Sequence, residues 1–370
     1  MEHAYLNAIN LFGKLGPQKI SQLLVATSTF EEIWKAQPQL LLHTRLPETL
    51  MYEFIAFRKT IDVEKEWMKL EKERIQMILL NPSPDRGEGK ARYPLLLQEI
   101  YSPPVALYVR GTLPDPSLPT LAIVGSRKMS SYGAQVTPDI AGALAGAGIV
   151  IISGLALGVD SMAHQSAVEK NTPTIAVLGC SVNDSALYPI SNRLLAKRIL
   201  EINGAIISEY PLGTAPLKQH FPARNRIISG LSLGVLIIEA SSESGSLLTA
   251  RHALDQNREV FAIPGSMYAQ TSEGTNNLIK MGAHCVTCVN DILDVLNIKT
   301  SPLFTQNTPI IPDSYEESLI LPHLSKTPTH IDELAVKSTL DMQIFSATLT
   351  LMEMKGIARN LGGMMYVRSR

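Results

Sequence analysis

From Thr120 onward the apolar residues come in short blocks. TLAIVG (120–125), IVIISG (149–154), TIAVLG (174–179), AIISEY (205–210), GVLIIEA (234–240), EVFAIPG (259–265) and HCVT (284–287) are rich in β-branched side chains, and helix-length stretches separate them. Continuous apolar runs mark strands buried on both faces. Strand and helix in alternation predict an α/β fold, a mostly parallel sheet with helices on both sides. Several runs end in Gly or Ser. Ligands on such sheets sit beyond the carboxyl ends of the strands, so the chemistry is expected just after those residues.

The flanks read differently. Residues 1–70 are helical in pattern and include LFGKLGPQKISQLL, which is similar to a helix-hairpin-helix turn, although a plain helical connector explains it as well. The sheet-bearing part is expected over 71–298, with a polar Pro/Gly loop at 81–92. Residues 299–314 have linker composition. From 315 to 370 the pattern is three helices and a hairpin, IARNL-GG-MMYVR, with Gly362-Gly363 as a two-residue turn. That is a winged-helix pattern. The uncharged run Ile140–Val159 has the length of a membrane span. It holds five glycines and changes character at Gly148, so a helix, a turn and a buried strand are expected instead.

Composition narrows the partners. Of 370 residues, 45% are hydrophobic and 18% charged, which suits a folded chain with a sizeable core. The net charge of -1 is spread evenly: 14 basic and 14 acidic residues in 1–115, 12 and 13 in 116–296, and 7 and 7 in 297–370. Nucleic-acid binding must therefore come from a local patch. Three cysteines and an N-terminus without a basic-then-apolar leader point to the cytoplasm, with no membrane insertion.

One patch stands out. HFPARNRIISG (220–230) carries Arg224 and Arg226 with Lys218 just upstream, and no acid occurs between Tyr210 and Gly230. Cations beside a core are costly unless an anion meets them. Other strand ends offer matching groups: Gly125-Ser126-Arg127, then Gly154, then Ser244-Gly245-Ser246 at a helix start, where amides favour anions. All are expected at one edge of the sheet. Glu209 and Glu239 are the nearby counter-charges, and one arginine is expected to pair with one of them. Neither a phosphate-binding GxxxxGK[ST] loop nor a GxGxxG follows the first strand, and no cofactor is expected. Three tempting signals fail on context. Gly230-Leu231-Ser232-Leu233-Gly234 matches GxSxG but lies in helix-then-strand order. Cys285 and Cys288, on one strand, would face opposite ways and lack partners for zinc. Asp160 and His164, four apart on a helix, read as a local pair.

VGSRKMSSYG, SGLALGVDSMAHQSAV, TIAVLGCSVNDSALYP, ISEYPLG, HFPARNRIISGLS, EASSESGSLLTARHAL and FAIPGSMYAQTSEGTNNLIKMGA occur in the order found in the bacterial DNA-processing family DprA (Smf), and the stretch from about Tyr93 to Leu296 resembles that family. The resemblance implies a Rossmann-like core that binds single-stranded DNA, a homodimer, and the recombinase RecA as a partner during natural transformation. The implied DNA-binding residues are Gly125, Arg127, Lys218, Phe221, Arg224, Asn225, Arg226 and Ser244 to Ser246. Phe221, with Tyr188 or Tyr132, is expected to stack on bases. The chain departs from the family at Gly179-Cys180-Ser181, where a second glycine is usual. The alternative is an enzyme similar to nucleotide phosphoribohydrolases, but the catalytic Glu after their PGGxGT is missing from Ser244–Arg251, so no catalysis is expected. The third C-terminal helix, DMQIFSATLTLMEMKG, is not basic; Lys355, Arg359, Arg368 and Arg370 are the only local excess. A protein-contact or regulatory role is expected there.

Overall fold

The computed structural model describes residues 1–80, 92–299 and 311–368. Most of the loop expected at 81–92, most of the linker at 299–314, and Arg370 lie outside the described residues. The chain divides into two compact units, one of residues 1–129 and 136–299, the other of 130–135 and 300–370.

The larger unit is built on a nine-stranded sheet. Its strands are β1 (Gln76–Leu79), β2 (Ala106–Gly111), β3 (Thr120–Val124), β4 (Val150–Ser153), β5 (Thr174–Val177), β6 (Ala205–Ser208), β7 (Gly234–Ile237), β8 (Glu259–Ala262) and β9 (His284–Cys285). They lie in the order β1-β2-β6-β5-β4-β3-β7-β8-β9. β3 to β9, the seven apolar blocks, are all parallel, which makes the core Rossmann-like. β2 adds to β6 antiparallel, and β1 to β2. The chain winds outward from β3 through β4 and β5 to β6, then returns to the far side of β3 as β7. Between β3 and β7 the crossovers part, and the sheet has its switch point there.

Six helices precede the sheet: α1 (Glu2–Leu11), α2 (Pro17–Ala26), α3 (Phe30–Lys35), α4 (Pro38–Leu42), α5 (Glu48–Arg58) and α6 (Val63–Lys72). Within and after it come α7 (Leu95–Gln98), α8 (Ser131–Gly146), α9 (Val159–Glu169), α10 (Arg193–Glu201), α11 (His220–Gly230), α12 (Ser246–Asp255), α13 (Gln270–Lys280) and α14 (Val289–Val295). Strand side chains alternate between faces. Val124, Ile152, Val177 and Ile237 meet Leu97, Ile227 and Ala250 of α7, α11 and α12. Ile123, Ile151 and Leu236 point the other way, onto Leu144 and Ala163 of α8 and α9. Ala176 and Ile206 share a third cluster with Ile199 of α10 and with Leu6, Leu23, Phe54 and Leu70, so the N-terminal helices complete their core on the sheet. The 140–159 run resolves as expected into the end of α8, a turn at Gly148 with φ +82°, and β4. No helix among the described residues is long and apolar enough to cross a membrane.

The smaller unit is a winged helix of α15 (Tyr315–Ile320), β10 (Thr329–His330), α16 (Ile331–Ser338), α17 (Met342–Met354), β11 (Ala358–Asn360) and β12 (Met365–Arg368), with sheet order β10-β12-β11. Ile320, Leu334, Phe345, Leu349 and Met352 form its core. The wing differs from expectation. Asn360 faces Tyr366, and Leu361 N–H donates to Met365 O at 2.9 Å. The tip is therefore three residues, Gly362-Gly363-Met364, all at positive φ. Gly-Gly marked the turn, but Met364 also takes the left-handed conformation.

Two local expectations are corrected. β9 ends at Cys285, and Cys288 is the N-cap of α14, so the two cysteines do not share a strand. Asp160 and His164 do not pair with each other. Asp160 accepts from Gly154 N–H at 3.0 Å, while His164 Nδ1 lies 2.8 Å from Thr174 Oγ1. The Thr174 hydroxyl gives its one hydrogen to Ile151 O, so the Nδ1–H must donate to it. Burial pushes His164 down from 6.5 to about 3. Its contribution to stability is full above pH 6.5 and is lost as pH falls toward 3, because the unfolded chain takes up a proton that the folded ring refuses. Expected outcome: the urea midpoint falls between pH 7 and pH 5 by more in the parent protein than in His164→Gln. Equal losses would remove His164 from the account.

Candidate nucleic-acid interface

A cleft of about 730 Å³ opens at the switch point, beyond the ends of β3 and β7. Gly125, Ser126 and Arg127 line it from the first strand end, Lys218, Phe221, Arg224 and Asn225 from α11 and the segment before it, and Ser244 to Ser246 from the start of α12. Most of the residues singled out in the sequence are thus brought together. Gly154 and Arg226 do not line the cleft.

The first strand end is shaped by close packing. A Cβ at Gly125 would lie 2.8 Å from Val159 Cγ2 and 3.1 Å from Glu239 O. Gly158, at φ +77°, lies where a Cβ would strike Ser126 O. Val159 N–H donates to Ser126 O at 3.2 Å and Lys128 N–H to Ser126 Oγ at 3.1 Å. Ser126 therefore spends its groups on the turn, and the turn holds Arg127 exposed on the rim. The Arg127 guanidinium stands 5.5 Å from the centre of the Phe221 ring, a cation–π contact. The exposed Tyr188 ring is 6.0 Å from Phe221, tilted by 52°. The rim is thus a cation on an aromatic pair, with exposed Lys218 nearby.

α11 sorts its arginines by helical phase. Residues three and four apart share a face, and residues two apart diverge by about 200°. Phe221, Arg224, Asn225 and Ile228 accordingly line the cleft. Arg226 turns away, donates to Ser102 O at 2.9 Å and forms an ion pair with Glu209. Burial raises the Glu209 carboxyl, and Arg226 opposes that rise. The expected arginine–glutamate pair is this one, and Arg226 lies outside the cleft.

Arg224 is only 4% exposed. Its guanidinium donates to Val177 O. Burial brings it down to about 10; Arg127 adds to that fall, while Asp160 opposes it. Asp160 is buried too; its burial raises it, against the pull of Arg224. Gly154 leaves the space that the guanidinium fills, since a Cβ there would coincide with it. Arg224 is thus the floor of the cleft, and Gly154 acts by making room. Asp160, read from the sequence only as a helix partner, is the counter-charge of that floor. Its signal was its place in the first turn of α9, after a glycine-rich strand end.

Ser244 and Ser246 hydroxyls lie 2.7 Å apart, and Asn225 Nδ2 donates to Gly245 O at 3.3 Å. Ser246 N–H, at the start of α12, donates to Ser244 Oγ at 3.4 Å, and the first turn of the helix holds no acid. Among the described residues no group of three or more His, Cys, Asp or Glu is arranged for a metal.

Residues 87–297 match the family DNA recombination-mediator protein A, and residues 305–364 match the DprA winged helix domain. The chain is 33% identical to Protein Smf of Synechocystis sp. over 405 aligned positions, covering 99% of each chain. The X-ray structure of DNA processing protein A (DprA) from Streptococcus pneumoniae is similar with TM-score 0.62 and 33% identity, over 79% of this chain and 97% of that one. DNA processing protein A from Helicobacter pylori, a protein with a described single-stranded DNA binding mode, is similar with TM-score 0.51 and 33% identity, over 57% and 96%.

The geometry separates two arginines that the sequence treats alike. Arg224→Met leaves Asp160 buried without its cation and is expected to cost about 3–5 kcal/mol in urea unfolding. Arg127→Ala is expected to change stability by no more than about 0.5 kcal/mol. Equal stability of the two variants would show that Arg224 is not a structural floor.

Proposed function

The chain belongs to the DNA recombination-mediator protein A family (DprA, Smf), and from that premise we propose that the switch-point cleft binds single-stranded DNA. The observation that carries the reading is Arg127, exposed and resting on Phe221 beside Tyr188. A cation next to the half-buried Phe221 ring and the exposed Tyr188 ring suits a phosphate followed by an unstacked base. Duplex bases offer no free faces, so single strands are favoured. Arg127 and Lys218 are the exposed cations of the cleft, and they meet few phosphates, so binding is salt-sensitive and modest per site.

On the same reading the chain acts in the cytoplasm as a homodimer, whose two clefts gain avidity. It protects incoming strands and loads the recombinase RecA onto them in natural transformation. It is a binder rather than a nucleotide hydrolase, a view supported by the acid-free first turn of α12. The winged helix has a protein-contact or regulatory role: α17 exposes Ile344, Leu351 and Met354 instead of a basic face.

Fluorescence anisotropy with an oligothymidine over a salt series tests this. Arg127→Ala and Lys218→Ala are each expected to weaken binding and to flatten the slope of log K against log salt by about 0.7. Phe221→Ala is expected to cost about 1–3 kcal/mol of binding. A duplex of equal length is expected to bind more weakly. Unchanged binding by Arg127→Ala at every salt concentration would sink the reading.

A further inference from the structure

A second groove, of about 350 Å³, runs between α9 and α10. Ser161, Met162 and Gln165 form one side; Ser191, Asn192, Leu194, Leu195 and Arg198 form the other. We propose that this groove holds further unpaired nucleotides of the strand bound in the cleft, an inference that rests on the single-strand reading above.

The first argument is continuity. Asp160 lines the cleft, and the next residue, Ser161, lines the groove. Ala156 lines the cleft, and its carbonyl accepts from Ser161 N–H at 3.1 Å. Asn192 lines the groove, and its Nδ2 donates to Leu155 O at 2.9 Å and to Ala156 O at 3.2 Å. One hydrogen-bonded wall therefore separates the two depressions. Tyr188 stands at the cleft end of that wall, and Ile190 and Leu194, both strongly exposed, follow it toward the groove.

The second argument is chemistry. Half-buried Met162 and Leu195 give an apolar bed, and a thioether packs well against an aromatic ring. Serine, asparagine and glutamine groups at the margins suit base edges. Cations cluster beyond. Arg198 gives one N–H to Gln165 Oε1 at 3.0 Å. Arg193 and Lys197 lie on the same helix, and both act on Asp184, the carboxylate that Arg110 grips at 2.5 and 3.2 Å. Against these four cations stand Asp184, Glu201 and Glu169, which accepts from Gln165 Nε2 at 2.8 Å, so one cation is left in excess for phosphate. A protein partner would find the leucines but would have no use for that excess beside a base-sized bed.

The test compares oligothymidines of about 5 and about 12 nucleotides, lengths within the range of single-strand sites. Leu194→Ser/Arg198→Gln is expected to bind the short oligomer within about twofold of the parent. It should bind the long one about tenfold more weakly, with a salt slope flatter by about 0.7. The charge reversal Arg198→Glu should deepen the same length-selective loss, and circular dichroism checks that both variants fold. If the long oligomer keeps its full advantage in both variants, or both lengths weaken alike, the groove proposal is overturned. Arg127→Ala run alongside separates the two ideas. If it weakens both lengths while the groove variants change neither, only the groove falls; if it changes nothing, the single-strand reading falls and takes the groove with it.

Discussion

Arg224 carries its charge into the interior of the sheet edge, and the cleft is arranged around that charge. It joins four elements at once. The side chain leaves α11, donates to the end of β5, faces Asp160 at the start of α9, and fills the space beside Gly154 after β4. Burial works against both charged groups, raising Asp160 and lowering Arg224, and each offsets part of that cost for the other. Such a pair adds little net stability, yet losing one member leaves the other stranded. Its effect is to fix where the strand ends and helix starts meet.

That arrangement explains why an anion suits the cleft. Arg127 lies close enough to Arg224 for the two guanidiniums to oppose each other, and Asp160 compensates for only one charge. On the single-strand reading, a phosphate at the rim would relieve that repulsion. The exposed cations, Arg127 and Lys218, are outside and the buried one is beneath, so on the single-strand reading a ligand would meet the exposed pair first. The aromatic pair Phe221 and Tyr188 gives the base a surface that does not depend on its identity.

Much of this was legible in the sequence, for reasons that can be stated residue by residue. The seven parallel strands showed because buried β-branched runs are unlike helix patterns. The antiparallel edge did not: β1 follows α6 after only a few residues, and the turn between them is made by Arg74 at φ +54° without a glycine to mark it. The wing tip was found but shortened by one residue, since Met364 gives no turn signal. In the cleft, Gly125 to Arg127, Lys218, Phe221, Arg224, Asn225 and Ser244 to Ser246 came together as read. Arg226 did not, although the information was present. Once HFPARNRIISG is a helix, positions 224 and 226 cannot face the same way. What no pattern showed was depth: nothing in the local sequence says that one arginine is buried against Asp160 and the other paired with Glu209.

The distribution of charge sets how such a surface can work. The chain is nearly neutral in each of its parts, so it has little long-range field with which to draw in nucleic acid. Attraction begins only within about a Debye length of the rim, roughly 8–10 Å at ordinary salt. On the proposed reading, retention would therefore depend on several modest contacts made in sequence along one strand, rather than on a basic face. A cleft with two exposed cations, an aromatic pair and an adjoining apolar groove suits that demand better than a single deep pocket. On the proposed reading, each added nucleotide would contribute its own phosphate and its own base surface.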